Sequence, residues 1–271
     1  MIRWLPSVTG ILLLIFLMSG VEAVLLKARM IKPNYKGKVI VHGYGVVSLI
    51  WAVAIYILLM VLFQQARWEL PVWTLVIGLF GLLGLADDIW GDAESRGFKG
   101  HLRALVKQHR VTTGLIKAVG GIAVGVTAGL MLWRSSPIHA IAAGIEIALC
   151  ANVFNLLDLR PGRAGAIFLV AAIALAATAH AAWPLWIAII PAWAVWLRDS
   201  RAQVMMGDCG ANLIGAALGL GIAAAANMTI LLTVTVSLFF ITLMCEKFSL
   251  SKMIENNPIL RRLDRLTGVR K

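Results

Sequence analysis

Long apolar stretches recur along the whole chain, and they constrain its fold more than any other feature. Nine of them approach the roughly 20 residues that a helix needs to cross the hydrocarbon core of a bilayer. They lie near residues 7–26, 45–63, 71–86, 114–133, 138–156, 165–181, 183–197, 209–226 and 229–245. The sequence therefore predicts an all-α, polytopic integral membrane bundle of about nine transmembrane helices. Because 183–197 is short, the alternative for 165–197 is one broken helical hairpin.

Basic residues fall mainly on one side of the predicted spans. Of the 25 lysine and arginine residues, 21 lie in the loops after spans one, three, five and seven or in the C-terminal tail. Such loops stay in the cytoplasm, so we expect an external N-terminus, a cytoplasmic C-terminus and a multi-pass location in the cell membrane. In a chain that is 60% apolar, this basic charge indicates an anionic membrane face rather than nucleic acid as the partner.

Acidic residues gather at the predicted cytoplasmic ends of the spans. Asp87 and Asp88 close span three, Asp158 follows span five, Asp199 lies in the loop before span eight and Asp208 opens that span. Ionisable groups at membrane depth are costly and usually functional. A few carboxylates suit Mg²⁺ when phosphates complete its ligands. Together with the basic residues of the same loops, they indicate diphosphate chemistry on a lipid.

Two asparagines precede Asp158 at regular spacing. Asn152, Asn155 and Asp158 recur every three residues, so on a helix they share one face. Each of these residues also has a simpler explanation, because aspartates cap helices and asparagines hydrogen-bond between them. Two further acids, Glu22 and Glu146, lie inside spans, and we expect them to pair within the bundle. The functional interpretation therefore depends on the ordered set of polar residues.

That ordered set resembles the motifs of the polyprenyl-phosphate N-acetylhexosamine-1-phosphate transferases, glycosyltransferase family 4, which include phospho-N-acetylmuramoyl-pentapeptide transferase. No single motif is specific, but their order is, and the resemblance covers most of the chain. The matching positions are Pro33-Asn34 after span one, Asp87-Asp88, Lys117 at the start of the next span, Asn152-x-x-Asn155-x-x-Asp158, and Gly207-Asp208.

The resemblance implies an activity. A sugar 1-phosphate, expected to be an N-acetylhexosamine, passes from a UDP-sugar to polyprenyl (undecaprenyl) phosphate with release of UMP, as an initiating step of cell-envelope glycan synthesis. It implies a Mg²⁺-dependent enzyme, with Mn²⁺ as the alternative ion, an active site on the cytoplasmic face and, as one assembly, a homodimer. The implied metal ligand is Asp208, the implied catalytic residues are Asp87, Asp88, Asp158 and Lys117, and the implied substrate ligands are Asn152, Asn155, Arg160, Arg163, Asn34 and Lys36.

The expected domain organisation is simple. Residues 1–245 are expected to form one transmembrane catalytic domain, whose first helix is retained rather than cleaved as a signal peptide because five basic residues directly follow it. Residues 246–271 are expected to form a basic cytoplasmic tail. Apolar residues between Ile259 and Leu266 recur there at helical spacing, which is typical of a helix lying on a membrane surface.

The chain departs from the family pattern at several positions. Pro161 stands where the family carries a second aspartate after Asp158, and Ala211 stands where a small hydroxyl residue is common. The histidine-rich motif of the last cytoplasmic loop and a tenth span are missing. These departures concern recognition of the nucleotide and sugar, so a muramoyl-pentapeptide donor is not expected.

Three other functions compete with this interpretation. A transporter would carry acids at mid-membrane and internal repeats, whereas most acids here lie at one face. A CDP-alcohol phosphotransferase would need further aspartates around Asp158-x-x-x-Gly162-Arg163. A non-catalytic relative that binds polyprenyl lipid or scaffolds envelope assembly stays open, because a fold does not guarantee an activity.

Overall fold

The computed structural model describes residues 5–62, 69–91 and 97–269, and helices dominate it. A two-stranded antiparallel hairpin, β1 (Ile31–Pro33) and β2 (Val39–Val41), follows the first helix. The helices are α1 (Leu5–Lys27), α2 (Val46–Leu62), α3 (Glu69–Trp90), α4 (Gly97–Gln108), α5 (Thr113–Leu132), α6 (Pro137–Leu157), α7 (Arg163–Thr178), α8 (Leu185–Asp199), α9 (Gly207–Ala225), α10 (Met228–Lys247), α11 (Leu250–Asn256) and α12 (Pro258–Thr267).

A helix stands at each of the nine predicted apolar stretches. Within the described ranges, six helices are long and apolar enough to cross a membrane: α1, α3, α5, α6, α9 and α10. The chain is therefore an all-α polytopic membrane protein, as predicted. Helices α2, α7 and α8 have 17, 16 and 15 residues, so the number of spans and their orientation stay predictions.

The weakest pair of predicted spans forms two helices. Helices α7 and α8 are joined by a 3₁₀ turn at His180–Ala182, and Pro184 precedes the first residue of α8. Proline at a helix start costs no hydrogen bond, because the first N–H groups of a helix have no partner within it. The two segments pack against each other, as they would either as two spans or as one broken helical hairpin, so the choice between these stays a prediction.

Helix α9 lies at the centre of the bundle. In its apolar stretch, 78% of the residues are buried, against 6% in α10. It packs most extensively against α3 and α6, and small residues allow the backbones to approach. At Gly84 of α3, a Cβ atom would lie 2.2 Å from the carbonyl oxygen of Asp208. This approach places the start of α9 directly beside the end of α3.

The two acids inside predicted spans behave differently. Glu22 of α1 accepts hydrogen bonds from both terminal nitrogens of Arg198, at 2.7 and 2.9 Å, as expected for pairing within the bundle. Glu146 of α6 is fully buried, and neither carboxyl oxygen finds a hydrogen-bond partner among the described residues. The expected pairing of Glu146 is therefore wrong in this structure, because its neighbours Ile147, Cys150 and Gly219 bring no strong donor toward it.

The hairpin after α1 is attached to the segment before α9. Val41 bridges to Val204, the amide of Met205 donates to the carbonyl of Val41 at 2.8 Å, and the amide of Tyr44 donates to the carbonyl of Met205 at 2.9 Å. The sequence does not predict this hairpin, since three-residue strands are too short to show a period. Its attachment carries two polar residues of the first loop to the start of α9.

Candidate active site

Asp88 caps the first turn of α9 from a neighbouring helix. Its Oδ1 accepts the backbone amide of Asp208 and its Oδ2 that of Cys209, both at 2.9 Å. Its side chain is only 1% exposed. The first amides of a helix lack partners within it, and they favour a carboxylate. Gly207 adopts the left-handed conformation with φ of 76°, which turns the chain into α9 against this carboxylate.

Asp87, Lys117 and Asp208 form an ion-paired cluster next to this cap. Helix α5 begins where Thr112 accepts the amide of Leu115, so Lys117 lies in the first turns of the helix. Its Nζ is 2.7 Å from Asp87 Oδ2 and 2.5 Å from Asp208 Oδ2. The hydroxyl of Thr113 donates to Asp87 Oδ1 at 2.5 Å. One ammonium thus faces two carboxylates from two different helices.

Asn155 completes the cluster from the last turn of α6. In the amide orientation that satisfies both partners, its nitrogen donates to Asp208 Oδ1 at 3.0 Å and its oxygen accepts from Lys117 Nζ at 3.2 Å. Four helices, α3, α5, α6 and α9, therefore each contribute to one polar site at the same end of the bundle. Four residues of three separate sequence motifs thus lie together with the predicted lysine, and their catalytic and metal-binding roles stay predictions.

The donor set of the cluster fits a magnesium ion whose other ligands come from elsewhere. Asp87 and Asp208 offer carboxylate oxygens, and Mg²⁺ is commonly bound through one or two carboxylates together with substrate phosphates. In the described part of the chain, no group of three or more His, Cys, Asp or Glu side chains is placed to hold a metal ion. These residues thus suit a site that phosphates complete, and they do not suit an all-protein metal cage.

Asp158 lies in a cavity that opens beside the cluster. The cavity has a volume of about 210 Å³, and its lining includes Asp158, Asp199 and Asp208. Burial, reinforced by the nearby Asp199 and Asp208 carboxylates, raises the pKa of Asp158, so this carboxyl takes up a proton more readily than an exposed one. Arg160 also lines the cavity, and its guanidinium donates to Glu255 of α11 at 3.0 Å.

His42 and Lys32, for which the sequence predicts no role, also reach the site. His42 Nε2 lies 3.3 Å from Asp88 Oδ1 and 3.2 Å from Lys32 Nζ. Burial, and then the charge of Lys32, lower the pKa of His42 to about 4, so the imidazole is neutral at pH 7. Proximity to Asp88 depends on the attachment of the hairpin to the segment before α9, and no sequence spacing signals such a contact.

Asn34 and Lys36, two predicted substrate ligands, have different surroundings. Asn34 Oδ1 accepts the amides of Lys36 and Lys38, at 2.9 and 3.1 Å, and its Nδ2 donates to the carbonyl of Ala202 at 3.3 Å. Asn34 thus closes the hairpin turn while lining the cavity. Lys36 is exposed and lies over the ring of Tyr35. Their roles as ligands stay predictions.

Asn152 and Arg163 lie away from the cluster. The Asn152 amide donates to Thr242 Oγ1 of α10 at 3.2 Å, which is the hydrogen bond between helices named above as the simpler explanation. Arg163 is 1% exposed and donates to both carboxylate oxygens of Asp264 in α12, at 2.7 and 3.3 Å. Neither side chain faces Asp208, and their substrate-binding roles stay predictions.

The sequence profile of glycosyl transferase family 4 matches residues 70–228, which is more than half of the chain. The match starts in α3 and ends at the start of α10, so it spans all four helices that build the cluster. The protein belongs to glycosyl transferase family 4. The resemblance inferred from the motifs is therefore confirmed. A comparison with curated proteins found no match.

Membership in family 4 gives the cluster a chemical context. The family consists of transferases that pass phospho-sugars to polyprenyl phosphate. Asp87, Asp88, Lys117, Asn155 and Asp208 all fall inside the matched residues, and so does the proline-containing loop that departs from the motif pattern. The site and the family assignment therefore concern the same part of the molecule.

Proposed function

We propose that the protein transfers a sugar 1-phosphate, expected to be an N-acetylhexosamine, from a UDP-sugar to polyprenyl phosphate and releases UMP. The observation that carries the proposal is the cluster of Asp87, Lys117, Asn155 and Asp208 beside an acid-lined cavity. It combines carboxylates suited to a divalent cation with a fixed ammonium. Both features are needed where a diphosphate is attacked by a phosphate.

The proposed reaction is an in-line displacement at phosphorus. A phosphate oxygen of the lipid attacks the phosphorus that carries the sugar, and the bond from that phosphorus to the bridging oxygen breaks. UMP leaves with the bridging oxygen. Charge builds up on the oxygens around the attacked phosphorus, so catalysis comes mainly from positioning and electrostatic stabilisation.

Lys117 and Asp87 act on the reacting phosphates. The Lys117 ammonium lies between the carboxylates of Asp87 and Asp208, where it offers positive charge to the phosphate oxygens. Asp87, whose Oδ1 accepts from Thr113, orients that ammonium and would accept a proton from the lipid phosphate. A fixed donor network stabilises developing charge without reorganisation during the reaction.

Asp88 serves the reaction through α9. Both of its carboxylate oxygens accept backbone amides, so it fixes the helix that carries Asp208. Asp208 would hold Mg²⁺ together with phosphate oxygens of the substrate, with Mn²⁺ as the alternative ion. Bound there, the cation would neutralise charge on the diphosphate. Asn155 holds the Asp208 carboxylate in place, and Asp158 faces the cavity as a ligand for the donor.

The proposal is tested by UMP release. Purified protein in nanodiscs is given undecaprenyl phosphate, Mg²⁺ and a panel of UDP-sugars, and the Asp208→Ala variant is assayed beside it. We expect UMP with one donor class and none from the variant. Glu69→Gln is the matched control, because Glu69 begins the same helix α3 at the opposite end from the cluster. UMP release that survives Asp208→Ala would contradict the site assignment.

A non-catalytic, lipid-binding relative is the second candidate. Pro161 lines the cavity at the position where the family motif has its second aspartate, and this loss favours a changed or absent donor. Binding of undecaprenyl phosphate with no UMP from any donor would support this alternative.

The cellular setting follows from the charge pattern. Because 21 of 25 basic residues lie on one side of the predicted spans, we place the active site on the cytoplasmic face of the cell membrane. Both substrates proposed here are anionic, and the basic loops would favour their approach. The homodimer stays a prediction.

A further inference from the structure

The C-terminal tail is in close contact with the loop that carries Asp158. We call residues 158–163 the site loop and residues 246–269 the docked tail. At Gly162, which has φ of +74°, a Cβ atom would lie 2.1 Å from the carbonyl oxygen of Thr267. At Gly268, it would lie 2.4 Å from the carbonyl oxygen of Pro161. Glycine at both positions lets two backbones touch where side chains would separate them.

A buried ion pair fastens this contact. Arg163 is 1% and Asp264 is 9% exposed, and two hydrogen bonds join them. Arg163 also donates to the hydroxyl of Ser251 in α11 at 3.1 Å. The indole nitrogen of Trp196 donates to the carbonyl of Gly162, in the site loop, and to that of Thr267, in the docked tail.

On its other side, the site loop is tied to the catalytic cluster. The amide of Gly162 donates to Asp199 Oδ2 at 2.7 Å, and Asp199 Oδ1 accepts the amide of Met206 at 3.1 Å. Met206 directly precedes the first residue of α9. The site loop therefore lies between the docked tail and the start of the helix that carries Asp208.

We propose that Asp264 is a positioning residue: through Arg163 it holds the site loop so that Asp158 faces the cavity and contacts the donor. This inference rests on the proposed function. Ile259, Leu263 and Leu266 of the same short helix are all more than half exposed, whereas the Asp264 carboxylate is turned inward to Arg163. The loop that lacks the second aspartate of the family motif thus gains support from the tail.

Two variants release the loop by different means. Asp264→Asn removes the charge that balances Arg163, and Gly268→Ala inserts a methyl group against the Pro161 carbonyl without changing any charge. We expect each to raise KM for the UDP-sugar about 10-fold and to change kcat by less than about 2-fold, because ground-state positioning of the donor is lost. Asp264→Glu keeps the charge and should recover most of the affinity.

Glu255→Gln is the matched control. It breaks the exposed pair between the same tail and the same loop, Arg160 to Glu255, and exposed pairs contribute little. KM should stay within about 2-fold of the original value. A fall in kcat with unchanged KM in Asp264→Asn and Gly268→Ala would overturn the proposal, because it would indicate only loss of folded protein.

Hydrogen exchange of the site-loop amides separates this proposal from the proposed function. We expect faster exchange at residues 158–163 in Asp264→Asn and Gly268→Ala than in Glu255→Gln. Unchanged exchange would overturn the positioning role of Asp264 even if UMP is formed. If no donor gives UMP with the unmodified protein, the proposed transferase function is wrong, and the expected effect on KM cannot occur. The exchange comparison still decides whether Asp264 holds the loop.

Discussion

Lys117 and Arg163 are both predicted from the sequence to meet an anionic substrate, yet the structure surrounds them differently. Lys117 is 18% exposed and faces two carboxylates, one of which, that of Asp208, lines the cavity. Arg163 is 1% exposed and faces one carboxylate, that of Asp264. The surroundings of Lys117 carry excess negative charge and are open to ligands. The charge of Arg163 is balanced by one carboxylate, and its side chain is buried. We therefore expect exposure and local charge balance to separate a cation that meets a ligand from one that stabilises the fold.

The largest effect is expected for Asp208→Asn. Loss of the carboxylate weakens the proposed cation site, and UMP release should fall about 10³-fold, while higher Mg²⁺ concentration recovers part of it. Stability should change little, because Asp208 is 30% exposed and Lys117 keeps Asp87 as partner. The measurement is UMP release against Mg²⁺ concentration, with a thermal melt of the same sample. Full activity at ordinary Mg²⁺ would remove Asp208 from the metal site.

Lys117→Ala should lower UMP release about 10²-fold. The phosphates lose the ammonium, and Asp87 and Asp208 are left facing each other without a cation. Lys117→Arg should recover only part of the rate, because a planar guanidinium does not reproduce the contacts of a compact ammonium. Single-turnover rates with saturating donor measure this step. Equal rates for the unmodified protein and Lys117→Ala would place Lys117 with Arg163 as a residue of the fold.

Arg163→Met should destabilise the protein by about 3 kcal/mol, because Asp264 is left buried without its partner. UMP release should fall less than for Lys117→Ala. The double variant Arg163→Met with Asp264→Leu should regain much of the stability, since apolar residues of similar volume can replace a buried pair. Thermal melts in one detergent compare the three proteins. If UMP release in Arg163→Met falls by more than the loss of folded protein explains, Arg163 would be assigned to substrate binding.

Glu255→Gln should have the smallest effect on stability. The pair with Arg160 is exposed on both sides, at 38% and 51%, so its loss should cost less than about 1 kcal/mol. The small effect should shrink further at high salt, because ions screen exposed charges. Melting temperatures at low and high salt measure it. A cost comparable to that of Arg163→Met would show that exposure does not separate the two pairs.

The helices could be predicted because a helix that spans a membrane needs a long run of apolar residues, and such runs are visible in the sequence. All nine predicted stretches coincide with helices, and their bounds differ from the structure by a few residues. The third stretch, predicted as 71–86, extends to Glu69–Trp90, because polar residues can continue a helix beyond the apolar run. The hairpin at Ile31–Val41 was not predictable, since it depends on pairing with the distant segment before α9.

The site could be predicted in composition but not in the direction of each side chain. A residue in an α-helix turns by about 100°, so three-residue steps drift around the helix axis. Asn155 therefore reaches Asp208 while Asn152 reaches Thr242 on α10. The different surroundings of Arg163 and Lys117 became clear only from the contact between Arg163 and Asp264. A contact between residues so distant in sequence leaves no local signal.

The cap that Asp88 makes on α9 makes two positions distant in sequence, Asp88 and Gly207, depend on each other during evolution. At Gly207, any Cβ atom would lie 2.8 Å from Asp88 Oδ2, so a larger residue at 207 would push away the carboxylate that holds the helix. A change at either position then removes the selective value of the other. Among homologous sequences, Gly207 and Asp88 should therefore be kept or lost together. In sequences that have lost both, Asp208 should be the next residue to vary.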